Sequence, residues 1–285
     1  MLKKLLKHEL KYVWRIWWIL ALVMVGLSIG GGLTQGVIER AEQSSIYVPI
    51  TLFSTLLLLL CILFIIGSVI GLYIMLLVRF HNHMFTDEGY LTFTLPVSRR
   101  DVLLSKTLNA VIWTVAHTVL IGICIDLILI FSNLSSVGEV SFVNLISYSI
   151  GELFEIAWNT CGGWTIAFSI EIPVLIVIGI FFSTCLIQLC ITIAATVAKK
   201  GRLIVGIGIY YLASTVLSFV SQIIAVGFTA LMASGLSTVL AGITDAQGYG
   251  LLALLLLIGI AILSTFTLFI YFLNRNILER KLNLA

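Results

Sequence analysis

Apolar residues fall into six long runs along this chain, separated by shorter polar stretches. The runs cover about 14–33, 49–78, 109–132, 172–198, 203–233 and 250–274. Each reaches the roughly 20 residues needed to cross a hydrocarbon core of about 30 Å. Residues 1–15 carry a different pattern. Leu2, Leu5, Leu6, Leu10, Val13 and Trp17 recur at helical spacing, with Lys4, Lys7, Lys11 and Arg15 on the other side. That period predicts an amphipathic helix lying on the membrane surface before the chain turns into its first span. Trp14, Trp17 and Trp18 sit where an interfacial aromatic belt is expected. The predicted fold class is all-α integral membrane, one transmembrane domain over 1–285 with six spans.

The second run is longer than a crossing requires. Pro49 to Val78 makes about 45 Å of helix, so it tilts strongly or projects from the membrane. Gly67 and Gly71 within it form a GxxxG pair, a pattern that permits close helix packing. Two connections stand out. The segment 133–171 mixes Phe142, Leu145, Ile146, Leu153, Phe154, Ile156 and Trp158 with polar residues, and reads as an amphipathic helix on the outer leaflet. The loop at 79–108 gathers four basic and three acidic residues between two apolar spans. Within it Pro96 blocks any helix from extending backward. Ser98 followed by Asp101 then forms a capping-box-like start, which predicts a helix beginning near Arg99 and running through Val102, Leu103 and Leu104.

Composition removes whole classes of function. Apolar residues make up 60% of the 285 and charged residues only 10%, with a mean hydropathy of +1.17. A soluble domain of this size carries about a quarter charged residues, so most of this surface must face lipid. The charges also assign sides. Lys3, Lys4, Lys7, Lys11 and Arg15 precede the first span, and Arg79, Arg99, Arg100 and Lys106 lie in the long loop. Lys199, Lys200 and Arg202 sit in the turn after the fourth span, and Arg275, Arg280 and Lys281 in the tail. With an even number of spans, 15 of the 16 basic residues fall on one face, and only Arg40 on the other. The positive-inside rule makes that face cytoplasmic, with both termini inside. The net charge of +3 is therefore a matter of sidedness and carries no implication of nucleic-acid binding. Gly30–Gly32 resemble the small residues of a cleavage site, but a long basic region and five further spans predict that the first span is retained.

Candidate chemistry is sparse. Cys61, Cys124, Cys185 and Cys190 fall in predicted spans, where a thiol is a small apolar group, and Cys161 has no obvious disulfide partner. His81, His83 and Asp87 do not converge on a metal, because residues two apart on a helix diverge. No phosphate-binding G-x-x-x-x-G-K-[ST] loop occurs. Asp126 is the one acid deep in a predicted span, about 9 Å from its outer end. Such a residue costs about 2.5–3.5 kcal/mol at mid-membrane on insertion scales and is often functional. His117 lies nine residues away, half a turn round the helix, so the two do not form one proton relay. No metal, no cofactor and no enzymatic activity of its own are expected.

The run DEGYLTFTLPVSRRDVLLSK at 87–106, the KLNL ending at 281–284, the basic N-terminal helix and the six-span plan together resemble the permeases of ABC-2-type transporters, notably small ones of Gram-positive bacteria. The resemblance implies a bacterial plasma-membrane protein whose loop 79–108 is a coupling element that docks on a separate cytosolic ABC ATPase subunit. Asp87, Glu88, Gly89, Tyr90, Leu95, Pro96, Ser98, Arg99 and Arg100 are then the contact candidates. It also implies a second permease subunit, identical or not, with the transport pathway along the dimer interface. Relatives often enlarge the connection between spans five and six, whereas here the sizeable external segment lies between spans three and four. The charge-poor interior predicts export of an amphipathic or hydrophobic cargo, a peptide or a lipid. Two other readings stand beside it: a proton-coupled secondary transporter using Asp126, and a non-transporting scaffold or immunity protein.

Overall fold

The computed structural model describes residues 2–41, 47–86, 98–136, 151, 154–198, 201–231 and 245–281. All regular structure among them is helical. Six long helices follow in order: α1 (Leu2–Ala41), α2 (Tyr47–Phe85), α3 (Arg99–Ser136), α4 (Trp164–Val197), α5 (Arg202–Leu231) and α6 (Asp245–Lys281), with a short helix at 154–161. All six long helices are long and apolar enough to cross a membrane. This is an integral, multi-pass membrane protein.

Several boundaries differ from those the apolar runs predict. Residues 2–15 do not form a separate surface helix, because α1 is continuous over its 40 residues. No glycine or proline interrupts residues 2–25, so nothing at the Trp14–Trp18 junction makes the chain turn. At 1.5 Å per residue α1 is about 60 Å long, and a tilt within the usual 0–40° leaves part of it outside the hydrocarbon. Helix α2 continues to Phe85 and α3 starts at Arg99, so both reach into the 79–108 stretch, of which 87–97 lie outside the described residues. Helix α3 runs on to Ser136 and α4 begins at Trp164, eight residues before the predicted span. The start of α4 therefore carries Glu171 and Pro173 inside an apolar helix. Proline is tolerated within membrane helices because neighbouring groups satisfy the freed carbonyl. Gly162, at φ +59°, is where the chain breaks between the short helix and α4. Its N–H bonds back to the Trp158 carbonyl at 2.8 Å, a left-handed helix end that glycine adopts without steric cost. Residues 137–150 of the expected outer amphipathic segment lie outside the described residues.

The chain forms two compact units. The smaller comprises Leu2–Leu76 and Leu108–Ala157. In it α1, the first part of α2 and the later part of α3 meet along two buried clusters. One joins Val13, Leu72, Leu76, Ala110 and Trp113, and the other Ala21, Met24, Leu120 and Cys124. The Trp17 and Trp113 rings lie 5.3 Å apart, tilted at 48°. Gly32 permits the closest approach. A Cβ there would fall 2.7 Å from the Ile128 carbonyl oxygen and from Phe131 Cβ, so α1 and α3 touch almost backbone to backbone. By contrast, nothing described lies within 4 Å of a Cβ at Gly67 or Gly71, so the GxxxG pair packs no helix among the described residues.

The larger unit comprises Leu77–Thr107 and Trp158–Ala285. Its centre is α4, which packs on both α5 and α6. The second half of α4 is buried on most sides, through Cys185, Ile187, Leu189, Cys190, Ile191 and Ala194. A helix apolar all round is one enclosed by others. Gly206 of α5 lets that hairpin close, since a Cβ there would meet Ile191 Cα at 3.0 Å. Much of the described surface of α5 stands open. Ile204, Tyr211, Leu212, Val216, Phe219 and Ile223 are all exposed, the expected state of a helix bathed in lipid.

Candidate functional site

Where α2 stops and α3 starts, the larger unit holds a set of hydrogen bonds between helix ends. Ser98 caps α3 as its sequence context predicts. Its hydroxyl accepts the Asp101 N–H at 3.1 Å, and its carbonyl accepts the Asp101 and Val102 N–H groups at 2.9 and 3.2 Å. This satisfies donors at the helix start that would otherwise have no partner. Arg99, the first residue of α3, reaches across to α6. Its Nη1 donates to the Leu278 carbonyl at 3.2 Å. Leu278 is in the last turn of α6, whose final four carbonyls lack a helical partner and carry the negative end of the dipole.

Arg202 repeats the device at the start of α5. Its Nη1 donates to the carbonyl of Phe85, the last residue of α2, at 3.2 Å. Its Nε donates to the Ala198 carbonyl just past α4 at 3.3 Å. Gly201, at φ +66°, makes the tight turn that presents it. Two arginines thus tie the starts of α3 and α5 to the open ends of α6 and α2. Beneath them a cluster of Leu77, Phe80, Met84, Phe85, Val102, Leu103, Ile187, Ile191 and Leu278 is buried, with Tyr210 of α5 packed against it.

Deeper in, the Thr107 hydroxyl lies 2.8 Å from Gln188 Oε1 on α4 and 3.0 Å from the Leu103 carbonyl. One hydroxyl proton serves one acceptor at a time, so the Gln188 bond competes with a bond inside α3. Thr107, Gln188, Thr192 and Asn274 are all buried, and the Asn274 Oδ1 has no hydrogen-bond partner. Arg79 and Lys106 are buried at this end as well.

Of the residues singled out as docking candidates, Ser98, Arg99 and Arg100 are described, and all three are exposed. Asp87, Glu88, Gly89, Tyr90, Leu95 and Pro96 lie outside the described residues. Arg99 is more than a surface charge, since part of its guanidinium is committed to α6. In the sequence Arg202 stands out only as one more cation, and Gln188 belongs to no motif. Signals for both exist: an arginine one residue after a turn glycine, and a lone amide in an otherwise apolar span.

Asp126 stands elsewhere, half-buried on α3 in the smaller unit. His117, half a turn round the same helix, is buried, with Nε2 3.1 Å from Ser68 Oγ of α2. The Ser68 hydroxyl also lies 2.7 Å from the Ile65 carbonyl, so the bond to His117 joins α3 to α2 at a buried point. His117 therefore has a packing role away from Asp126. Glu171 is buried within α4, with Oε2 unpartnered. Among the described residues no three His, Cys, Asp or Glu side chains gather to hold a metal, and all five cysteines are free. No family model matches this chain, and neither does any curated protein or solved structure.

Proposed function

We propose that this chain is the membrane permease subunit of an ABC-2-type transporter in a bacterial plasma membrane. It works with a separate cytosolic ATPase and a second permease subunit, and exports an amphipathic or hydrophobic cargo such as a peptide or lipid. The observation that carries the reading is the knitting of helices where α2 stops and α3 starts. The end of α2, the capped start of α3, the later part of α4 and the end of α6 share one buried cluster, and arginines at the starts of α3 and α5 add two ties to helix-end carbonyls. A force on the loop reaches four helices through that cluster, as coupling to an external engine requires. These are also the ends that the basic residues assign to the cytoplasm. The chain carries no phosphate-binding loop of its own, so the ATPase must be another protein.

The direct experiment is co-expression of the tagged chain with a cytosolic ATP-binding cassette protein encoded beside it. Stoichiometric co-purification, lost on Arg100→Glu or on Asp87→Lys with Glu88→Lys, is the expected result. If no ATPase binds, or the charge reversals leave both binding and transport unchanged, the reading fails. Under the rival proton-coupled reading, transport would collapse with the proton gradient while ATP stays intact, and Asp126→Asn would abolish it.

A further inference from the structure

We infer that the N-terminal part of α1 carries a selective site for the phosphate headgroup of an anionic phospholipid. The inference needs only that the helices span a bilayer, and does not depend on the docking of an ATPase. Lys4, Lys7, Lys11 and Arg15 are spaced three or four residues apart, so they line one face, and all four are exposed. Trp18, Ile19 and Leu22 continue the same face, also exposed. Along one stripe the helix thus passes from cationic to apolar within two turns, which marks the height of the lipid headgroups. Glu9, the one acid before Glu39, is buried and points to the other side of α1. No carboxylate on α1 therefore competes for these cations on their own face.

A groove of about 960 Å³ lies at this height, lined by His8, Lys11 and Arg15 together with Tyr12, Trp14 and Trp18. All of its lining residues belong to α1, so it is an open strip along one helix face. Trp14 stacks on Trp17 at 6.1 Å and on Trp18 at 5.6 Å, which makes one wall rigid. The Trp14 and Trp18 side chains stay just over half exposed, at 53% and 54%. Indoles favour the glycerol and carbonyl level of a bilayer, where the ring is in apolar surroundings and the N–H meets polar groups. Arg15 supplies planar paired donors for phosphate oxygens, and Lys11, one turn earlier, a second charge. Charge complementarity selects an anionic headgroup, and the apolar continuation over Ile19 and Leu22 selects one attached to acyl chains. The occupant is a lipid and not a soluble anion.

Full-length protein in neutral detergent, titrated with phosphatidylglycerol or phosphatidylcholine and read by native mass spectrometry, tests this. The expected result is retention of phosphatidylglycerol over phosphatidylcholine. Lys11→Gln with Arg15→Gln should weaken it roughly thirtyfold, as two headgroup-level charges imply. Lys199→Gln with Lys200→Gln removes the same charge away from α1 and should act within about threefold, since neither residue belongs to the cationic stripe or the groove. Equal losses in the two double variants would show diffuse attraction and overturn the site. So would equal retention of the two lipids. Displacement of the lipid by millimolar inorganic phosphate would show a soluble-anion site and overturn the choice of occupant.

Discussion

In the smaller unit, helices meet through rings and small residues: Trp17 against Trp113, and Gly32 against the α3 backbone. In the larger unit they also meet through hydrogen bonds to helix ends, from Arg99 to Leu278 and from Arg202 to Phe85. The difference follows from what each kind of contact needs. Lipid offers no hydrophobic gain for helix association, so close packing of small and aromatic groups has to do it. Helix ends outside the hydrocarbon expose carbonyls, and a guanidinium satisfies them with directional bonds. Packing of the first kind resists change. Bonds of the second kind can be exchanged one at a time, which suits the end of the molecule proposed to move.

That contrast can be broken at several points. The largest effect is expected from Gly32→Leu, which drives a side chain into the Ile128 carbonyl. It should cost about 3 kcal/mol, the upper range for overpacking, and be read as a lower melting temperature and loss of monodisperse protein in detergent. A Gly32→Leu protein as stable as wild type would remove the backbone contact from the account. Arg202→Met should cost about 2 kcal/mol by stripping charged bonds from two carbonyls. Arg99→Met should destabilise by about 1 kcal/mol, less than Arg202→Met because an exposed side chain supplies a single bond to the Leu278 carbonyl, and should also weaken ATPase binding. If Arg99 serves docking alone, melting will not shift. Thr107→Val should cost about 1 kcal/mol by leaving the buried Gln188 amide short of a donor. Adding Gln188→Leu should recover most of that, and a double-mutant cycle checks it. Ser98→Ala should cost about 0.5–1 kcal/mol, the low end for an exposed cap. Smallest of all, Asp126→Asn should change stability by less than about 0.5 kcal/mol, since the side chain is only half-buried.

Much of the fold was legible because membrane spans obey a simple length rule. All six apolar runs correspond to helices, and the α3 start at Arg99 followed from Ser98, Asp101 and the upstream proline. Boundaries were less legible where apolar character and helical character part company. Helix α1 continues through its basic N-terminal stretch because lysine and arginine are good helix formers, so a polarity change need not be a break. Helix α4 begins before Pro173 because backbone continuity depends on local hydrogen bonds, not on hydropathy. The GxxxG pair in α2 shows the opposite failure, a motif with no described partner.

The amino-acid order alone determined six helices long and apolar enough to span a membrane, cations gathered in the N-terminal stretch and between the apolar runs, and a sequence without the G-x-x-x-x-G-K-[ST] pattern. Those properties depend on counts, lengths and local spacing, each confined to a short window of chain. Only the tertiary structure decided that Arg99 belongs partly to α6, that Arg202 closes α2, that Gln188 answers Thr107, and that Glu171 is buried. Those pairings join residues 81 to 179 positions apart, and no local pattern encodes which helix end will lie beside which arginine.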